Sequence, residues 1–234
     1  MKVSRGRFLL ASLLLTLATA SAVLAQETTA QPKQTPATPQ RVEGEPKKSN
    51  ERPLVQPTPA PEPFDGASVE KMAAQCVRLE TAAGAIEIEM LAESAPESVR
   101  NFLNLAATGL FDTTTFSRVV KGFVVQGGNL STGQKWNLET AKRASRKIPD
   151  EPSLVKHERG IVSMARPDEP NSATTHFFIL VGEAAQLDGK FSAFGRVTSG
   201  MDVVDAINQA EAENEKPSKP VTITRAVVHE CVAQ

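Results

Sequence analysis

The distribution of proline most strongly limits how this 234-residue chain can fold. Nine of its sixteen prolines lie between Pro32 and Pro63, among Gln, Thr, Glu and Lys and with almost no large apolar residues. Such a segment cannot bury enough apolar surface to offset the entropy cost of ordering it. We therefore predict a disordered, Pro-rich linker over residues 26–70 and one folded domain over residues 71–234.

The first 25 residues have the pattern of a secretory signal peptide. Arg5 and Arg7 lie in a basic start, an apolar run covers residues 8–23, and small residues precede a cleavage point after Ala25. The run is short for a membrane span and contains serines and threonines, so cleavage is favoured over retention as an anchor. We expect an exported protein, periplasmic or secreted, with no stable membrane span after signal cleavage.

The start of the domain predicts a hairpin followed by a helix. Residues 77–81 and 86–90 alternate apolar and polar side chains around a glycine-containing turn, which is typical of two strands with one buried face. Apolar residues then recur at helical spacing. Ser94 can cap this helix, Pro96 suits its first turn and Gly109 ends it.

The rest of the domain predicts a mainly β fold. From residue 115 to about residue 194, short β-rich runs alternate with Gly, Asp, Asn and Pro. A second helix is predicted near residues 201–208, and a last strand over residues 221–228. Many short strands with two helices indicate a barrel, although periodicity alone does not distinguish one α+β barrel from another.

Charge and metal-ligand patterns narrow the function classes. The formal net charge is −1, and the one basic cluster, residues 142–147, is better explained by a solvated loop than by nucleic-acid binding. Two distant cysteines and three scattered histidines lack the spacing of metal ligands. We expect no nucleic-acid partner and no metal.

Residues 111–128 carry the strongest functional signal. Arg118 is the only arginine in a segment rich in phenylalanine and valine, and Gln126 lies just beyond the apolar run. An apolar stretch with one permanently charged donor indicates an apolar pocket with one polar group on its wall.

This segment resembles the Phe-His-Arg-Val-Ile-x-Gly-Phe-x-x-Gln-Gly-Gly signature of the cyclophilin-type peptidyl-prolyl isomerases. Residues 159–166 with 171–179, and residues 187–197, extend the resemblance in the family's order and at about its spacing, so that it covers residues 76–232. The resemblance implies a closed antiparallel barrel capped by two helices. It also implies an enzyme that rotates Xaa-Pro peptide bonds and requires no cofactor.

The resemblance also implies a set of site residues. Arg118 matches the catalytic arginine. The implied substrate-binding residues are Phe123, Val124, Gln126, Ala165, Arg166, His176, Phe178, Leu187 and Phe191. Phe177 and Phe178 are adjacent on a predicted strand, so one should fill the barrel while the other faces the groove.

Several of these positions depart from the family pattern. Ser117 replaces a usual histidine, His176 a glutamine, and Arg166 an asparagine. The imidazole of His176 should make activity pH dependent. Gln186 stands where many eukaryotic members have a tryptophan that packs on cyclosporin, so we predict weak inhibition by this drug. Phe191 stands in place of a histidine or tyrosine and makes the groove wall more apolar.

The two cysteines, Cys76 and Cys231, lie in the first and last predicted strands. These strands are neighbours in the cyclophilin fold, and an exported protein matures where thiols can oxidise. We therefore expect a disulfide between them.

The expected partners are proline-containing polypeptides, either unfolded chains or loops. We favour the interpretation that the protein is a monomer that assists the folding of exported proteins. The alternative is a proline-peptide binding module or holdase chaperone that uses the same groove with little catalysis. The Pro-rich linker is better explained as a spacer than as a substrate of its own domain.

Overall fold

The computed structural model describes residues 60–231. The predicted signal peptide and most of the predicted linker lie outside these residues. The helices are α1 (Val69–Ala73), α2 (Pro96–Ala107), α3 (Leu138–Ala144) and α4 (Met201–Asn208). The strands are β1 (Gln75–Thr81), β2 (Gly84–Met90), β3 (Arg118–Val120), β4 (Val124–Gly127), β5 (Ile161–Met164), β6 (Phe177–Leu180), β7 (Ala193–Ser199), β8 (Ala212–Glu213), β9 (Lys216–Pro217) and β10 (Ile223–Glu230).

Eight strands form one curled antiparallel sheet in the order β10-β1-β2-β7-β5-β6-β4-β3. The terminal strands β10 and β3 do not pair with each other, so the prediction of a fully closed barrel is wrong. The gap is instead bridged before β3, where Thr113 and Phe116 donate their N–H groups to the carbonyls of Ile223 (2.7 Å) and Val221 (2.9 Å). The mainly β, barrel-like architecture with helices packed on it is confirmed.

The described residues contain four helices rather than the two expected. The predicted helix near residues 201–208 is α4. The two unexpected helices, α1 and α3, have five and seven residues, which is too short for an apolar periodicity to become visible.

Helix α2 closes one side of the barrel. Its Phe102 ring packs 5.1 Å from Phe111, 5.2 Å from Phe177 and 4.9 Å from Phe194 between ring centroids. The predicted capping by Ser94 was wrong. Glu151 from a distant loop instead accepts hydrogen bonds from the first-turn N–H groups at residues 97 and 98. A carboxylate is favourable there, because the N-terminal end of a helix carries partial positive charge.

The folded part begins before the expected boundary at residue 71. Phe64 is buried in the main core and its N–H donates to Asn104 Oδ1 at 2.7 Å. Glu62 accepts hydrogen bonds from Arg143 and Arg146 of the basic cluster. The average composition of the segment does not reveal these contacts, because only two side chains, Glu62 and Phe64, make them and both lie among prolines.

Cys76 and Cys231 form a disulfide, with Cα atoms 5.0 Å apart. The bond joins the start of β1 to the residue after β10, and these two strands pair along their whole length. It closes a sequence separation of 155 residues. Within residues 60–231, no helix has the length and apolar character needed to cross a bilayer.

Candidate active site

An apolar pocket of about 150 Å³ opens on the outer face of the sheet where β3, β4 and β6 lie side by side. Nine of the ten predicted site residues line it: Arg118, Phe123, Val124, Gln126, Ala165, Arg166, Phe178, Leu187 and Phe191. The tenth, His176, contacts the pocket residue Gln126. The structure therefore brings together residues that are up to 73 positions apart in the chain.

Strand pairing explains why these side chains converge. Arg118 on β3 pairs with Gln126 on β4, and Gln126 pairs with Phe178 on β6, so the three lie in one row across the sheet. Side chains at paired positions point to the same face. Phe177, one residue away, points to the opposite face and is fully buried in the barrel core, as the sequence predicted.

The pocket floor is a small hydrophobic cluster separate from the barrel core. Val124 and Phe178 are buried in it, and Phe123, Leu187 and Phe191 pack against it while partly exposed. The Phe178 and Phe191 rings meet edge to face at 6.1 Å. Aromatic and aliphatic surface of this kind binds a small apolar ring well.

Arg118 supplies the polar group at the pocket. Its Nε donates to Glu215 Oε2 at 2.7 Å, and its Nη1 donates to Gln126 Oε1 at 3.2 Å. The side chain is 42% exposed, so the guanidinium lies at the rim of the pocket, held from two sides. Glu215 was not predicted, because it lies 97 residues away on a hairpin that carries no motif.

Gln126 connects Arg118 to His176. The Gln126 amide nitrogen lies 3.4 Å from His176 Nδ1, while its oxygen accepts from Arg118. Burial lowers the pKa of His176, so the ring is neutral at pH 7. A neutral ring with its proton on Nε2 accepts the amide hydrogen at Nδ1, which is the tautomer that this network assigns.

The Ala165 backbone is partly committed within the fold. Its N–H donates to the His176 carbonyl at 2.9 Å, which extends the pairing of β5 and β6. A peptide in the groove would therefore meet the carbonyl of Ala165 rather than its N–H.

Arg166 forms the other wall and is not a free charge beside the groove. Its guanidinium lies 4.9 Å above the Phe191 ring, its Nε is 3.1 Å from Asp150 Oδ1, and its Nη2 donates to the Lys190 carbonyl. The side chain is mostly buried. Arg166 thus fixes the orientation of Phe191, with its charge balanced by Asp150.

A buried network that the sequence did not reveal holds the Leu187 side of the pocket. The His157 ring lies 3.2 Å from both Ser163 Oγ and Asp188 Oδ1. Burial lowers the pKa of His157, and the hydrogen bond from the His157 backbone N–H lowers the pKa of Asp188. Because Asp188 follows Leu187 directly, this network fixes the wall. No solvent reaches Ser163, so the trio is structural.

The lining has no hydroxyl, thiol, amine or carboxylate side chain, so it offers no nucleophile. Within residues 60–231, no group of three or more His, Cys, Asp or Glu side chains could hold a metal ion. What remains is an apolar hollow with a fixed cationic donor, which can bind a small ring and stabilise developing electron density beside it. Fold and site together define a barrel-like protein with an apolar groove suited to binding a small ring beside a fixed cationic donor.

Comparisons with known proteins identify the family. The family model described as "Cyclophilin type peptidyl-prolyl cis-trans isomerase/CLD" matches residues 76–228. "Peptidyl-prolyl cis-trans isomerase A" of Dickeya dadantii is 38% identical over 163 residues, which cover 65% of this chain and 83% of the relative. A peptidyl-prolyl cis-trans isomerase of Acinetobacter baylyi is 34% identical over 167 residues, covering 67% of this chain and 86% of the relative.

Solved structures agree with this assignment. A cyclophilin-type peptidyl-prolyl cis-trans isomerase of Cryptosporidium parvum has a TM-score of 0.60 and 29% identity, covering 68% of this chain and 99% of that chain. Its structure in the presence of the dipeptide Ala-Pro gives a TM-score of 0.59. The chain belongs to the cyclophilin-type peptidyl-prolyl cis-trans isomerases, enzymes that rotate Xaa-Pro peptide bonds.

Proposed function

We propose that this isomerase assists the folding of exported proteins by rotating their exposed Xaa-Pro bonds, with Arg118 as the catalytic residue. The observation that carries the proposal is the position of one guanidinium at the rim of an apolar pocket. The pyrrolidine ring would lie on Phe123, Phe178 and Leu187 while the carbonyl before it swings. These residues form an apolar wall, and the ring would be held on it by packing alone.

The chemistry requires a donor at this place. Rotation about the planar amide has a barrier of about 20 kcal/mol, because resonance gives the C–N bond partial double-bond character. When the bond twists, resonance is lost and the prolyl nitrogen regains a lone pair. A guanidinium N–H that bonds this lone pair stabilises the twisted state more than either planar form, which is the condition for catalysis.

One hydrogen bond supplies only part of the effect. A rate gain of about 10⁵ needs roughly 7 kcal/mol of preference for the transition state. A charge-assisted hydrogen bond contributes about 1.5–3 kcal/mol. The remainder must come from the exclusion of water around the ring and from groups that hold the peptide, for which Gln126 and the Ala165 carbonyl are placed.

Export is supported by two independent features. The first 25 residues have the basic start, apolar run and small residues of a signal peptide. The disulfide between Cys76 and Cys231 supports maturation in an oxidising compartment such as a bacterial periplasm, because disulfides are rare in reducing ones. We propose a mature, monomeric enzyme that begins at Gln26 and meets its substrates in the envelope or outside the cell.

Expression in a Gram-negative bacterium followed by osmotic shock tests both parts of the proposal. The shock fluid should contain a protein whose intact mass corresponds to residues 26–234 with its disulfide formed. That protein should accelerate the proline-limited slow phase of refolding of a reporter protein. Retention of the uncleaved chain in the cytoplasm would contradict export, and an unchanged slow phase would contradict the folding role.

A further inference from the structure

We propose that Glu215 is a positioning residue of the active site, which orients the Arg118 guanidinium toward the bound prolyl bond. The proposal rests on the proposed catalytic role of Arg118 and extends it. Glu215 lies outside the pocket lining and would not touch the substrate. It acts through its contact with the Nε of Arg118.

The hairpin that carries Glu215 is tied to the strand that carries Arg118. Strands β8 and β9 are joined by a two-residue turn, Asn214 and Glu215, both with positive φ (49° and 66°). The N–H of Val119 donates to the Glu215 carbonyl at 2.8 Å. The backbone of the turn is thereby fixed beside β3, and the Glu215 carboxylate reaches the guanidinium from a defined position.

The conformation of Glu215 is unusual for its residue type. Two-residue turns with positive φ at both positions strongly favour Asn followed by Gly, because glycine adopts this conformation without steric cost. Asn214 fits this pattern, whereas a glutamate at φ 66° is disfavoured. The side chain on this disfavoured backbone conformation is the one that bonds Arg118.

The hydrogen bonds that Arg118 makes within the protein leave N–H donors available for a substrate. A guanidinium has five N–H donors in a planar fork. Glu215 occupies Nε, and Gln126 occupies one hydrogen of Nη1. Within the part of the chain that the structure describes, Nη2 has no hydrogen-bond partner. With Nε and Nη1 anchored in one plane, the orientation of the free Nη2 hydrogens is set before a substrate arrives.

The same contact contributes little to folding. The Arg118 and Glu215 side chains are 42% and 49% exposed, and ion pairs this exposed are weakly stabilising at best. A role in stability and a role in positioning therefore predict different results. Loss of the carboxylate should leave the melting temperature nearly unchanged and slow the isomerisation step.

The test replaces Glu215 by Gly and by Gln in the full chain. Glycine removes the side chain without straining the turn, and glutamine keeps an acceptor without the charge. Asn214→Gly is the matched control, since it changes the neighbouring turn residue and leaves the contact with Arg118 intact. NMR exchange measurements on a saturating Ala-Pro-containing peptide give the rate of isomerisation on the enzyme, and a titration gives the peptide Kd.

We expect Glu215→Gly to slow isomerisation on the enzyme by about five- to tenfold, with a peptide Kd within about twofold of wild type. Glu215→Gln should recover part of the rate, and Asn214→Gly should match wild type in both measurements. Melting temperatures should agree within about 3 °C. In an Arg118→Ala background, Glu215→Gly should have no further effect, because the group that it positions is gone.

An unchanged isomerisation rate in Glu215→Gly, or a change confined to Kd, would overturn the positioning role. So would an equal loss of rate in Asn214→Gly, which would attribute the effect to the turn backbone. These outcomes are distinct from a failure of the proposed function, in which the wild-type chain itself would not accelerate exchange.

Discussion

Replacement of Arg118 by alanine separates catalysis from folding in this domain. The substitution removes the donor at the rim of the pocket. Two other lining side chains carry N–H donors: Arg166 is held by Asp150 and Phe191, and the Gln126 amide nitrogen faces His176. A charge-assisted hydrogen bond of about 1.5–3 kcal/mol corresponds to a rate loss of roughly 10- to 150-fold.

The expected cost to stability is much smaller. Arg118 and Glu215 are both about half exposed, so their ion pair contributes about 0–1 kcal/mol. The melting temperature of Arg118→Ala should therefore fall by no more than about 4 °C. The apolar floor, including Phe178, is untouched, so the peptide Kd should change much less than the rate.

A protease-coupled assay on a short Xaa-Pro peptide measures the effect, and Arg159→Ala is the matched control. Arg159 forms an ion pair with Asp205 at 2.6 Å, with side chains 47% and 43% exposed, but it does not line the pocket. The control should lose similar stability and retain full activity. Near-wild-type activity in Arg118→Ala, or an equal loss in Arg159→Ala, would refute the assignment.

Three further predictions concern neighbouring features. Activity should fall as the pH drops below 6.5 toward the lowered pKa of His176, because the protonated ring no longer accepts a hydrogen bond from Gln126. A pH–rate series should show that His176→Gln removes this fall. Identical pH–rate profiles for the variant and the wild type would contradict the role of His176. Replacing Cys76 and Cys231 by serine should lower the unfolding free energy by up to about 5 kcal/mol in the chain-entropy model. Denaturant titration measures this cost. Activity at low temperature should persist, because neither cysteine lines the pocket and Cys231 follows the end of β10 remote from Ile223, which bonds the segment before β3. Loss of activity in a folded variant would argue against this reasoning. Cyclosporin should inhibit the wild-type protein weakly, and Gln186→Trp should strengthen the inhibition in the same peptide assay. Equal inhibition of the wild type and the variant would contradict this prediction.

Local pattern was sufficient to predict much of the sheet. The alternation in residues 77–81 and 86–90 corresponds to the pairing of β1 with β2, with Leu79 opposite Ile86 and both buried. The placement of Phe177 and Phe178 on opposite faces of the sheet, in two separate hydrophobic clusters, also follows from a period of two. In both cases the signal lies within a few consecutive residues.

The pocket could be assembled only through the family resemblance. Phe123, Phe178 and Leu187 each look like core residues when considered alone, and nothing in their local sequence places them in one hollow. The matched motifs placed them together, and the structure gives nine of the ten residues in one lining.

Contacts between distant segments escaped prediction for a physical reason. Glu215 meets Arg118 across 97 residues, and Asp188 meets His157 across 31. Phe64 fills the core from a segment whose average composition is that of a linker. Each depends on one side chain and on the tertiary fold that positions it, so neither periodicity nor composition carries a signal.

A crystal structure of the chain with an Ala-Pro-containing peptide tests the central claim most directly. The account predicts the pyrrolidine ring against Phe178 and Leu187, with a guanidinium nitrogen of Arg118 within about 3.5 Å of the prolyl nitrogen. A proline bound elsewhere on the domain, or an Arg118 guanidinium directed into solvent beside an occupied pocket, would contradict it.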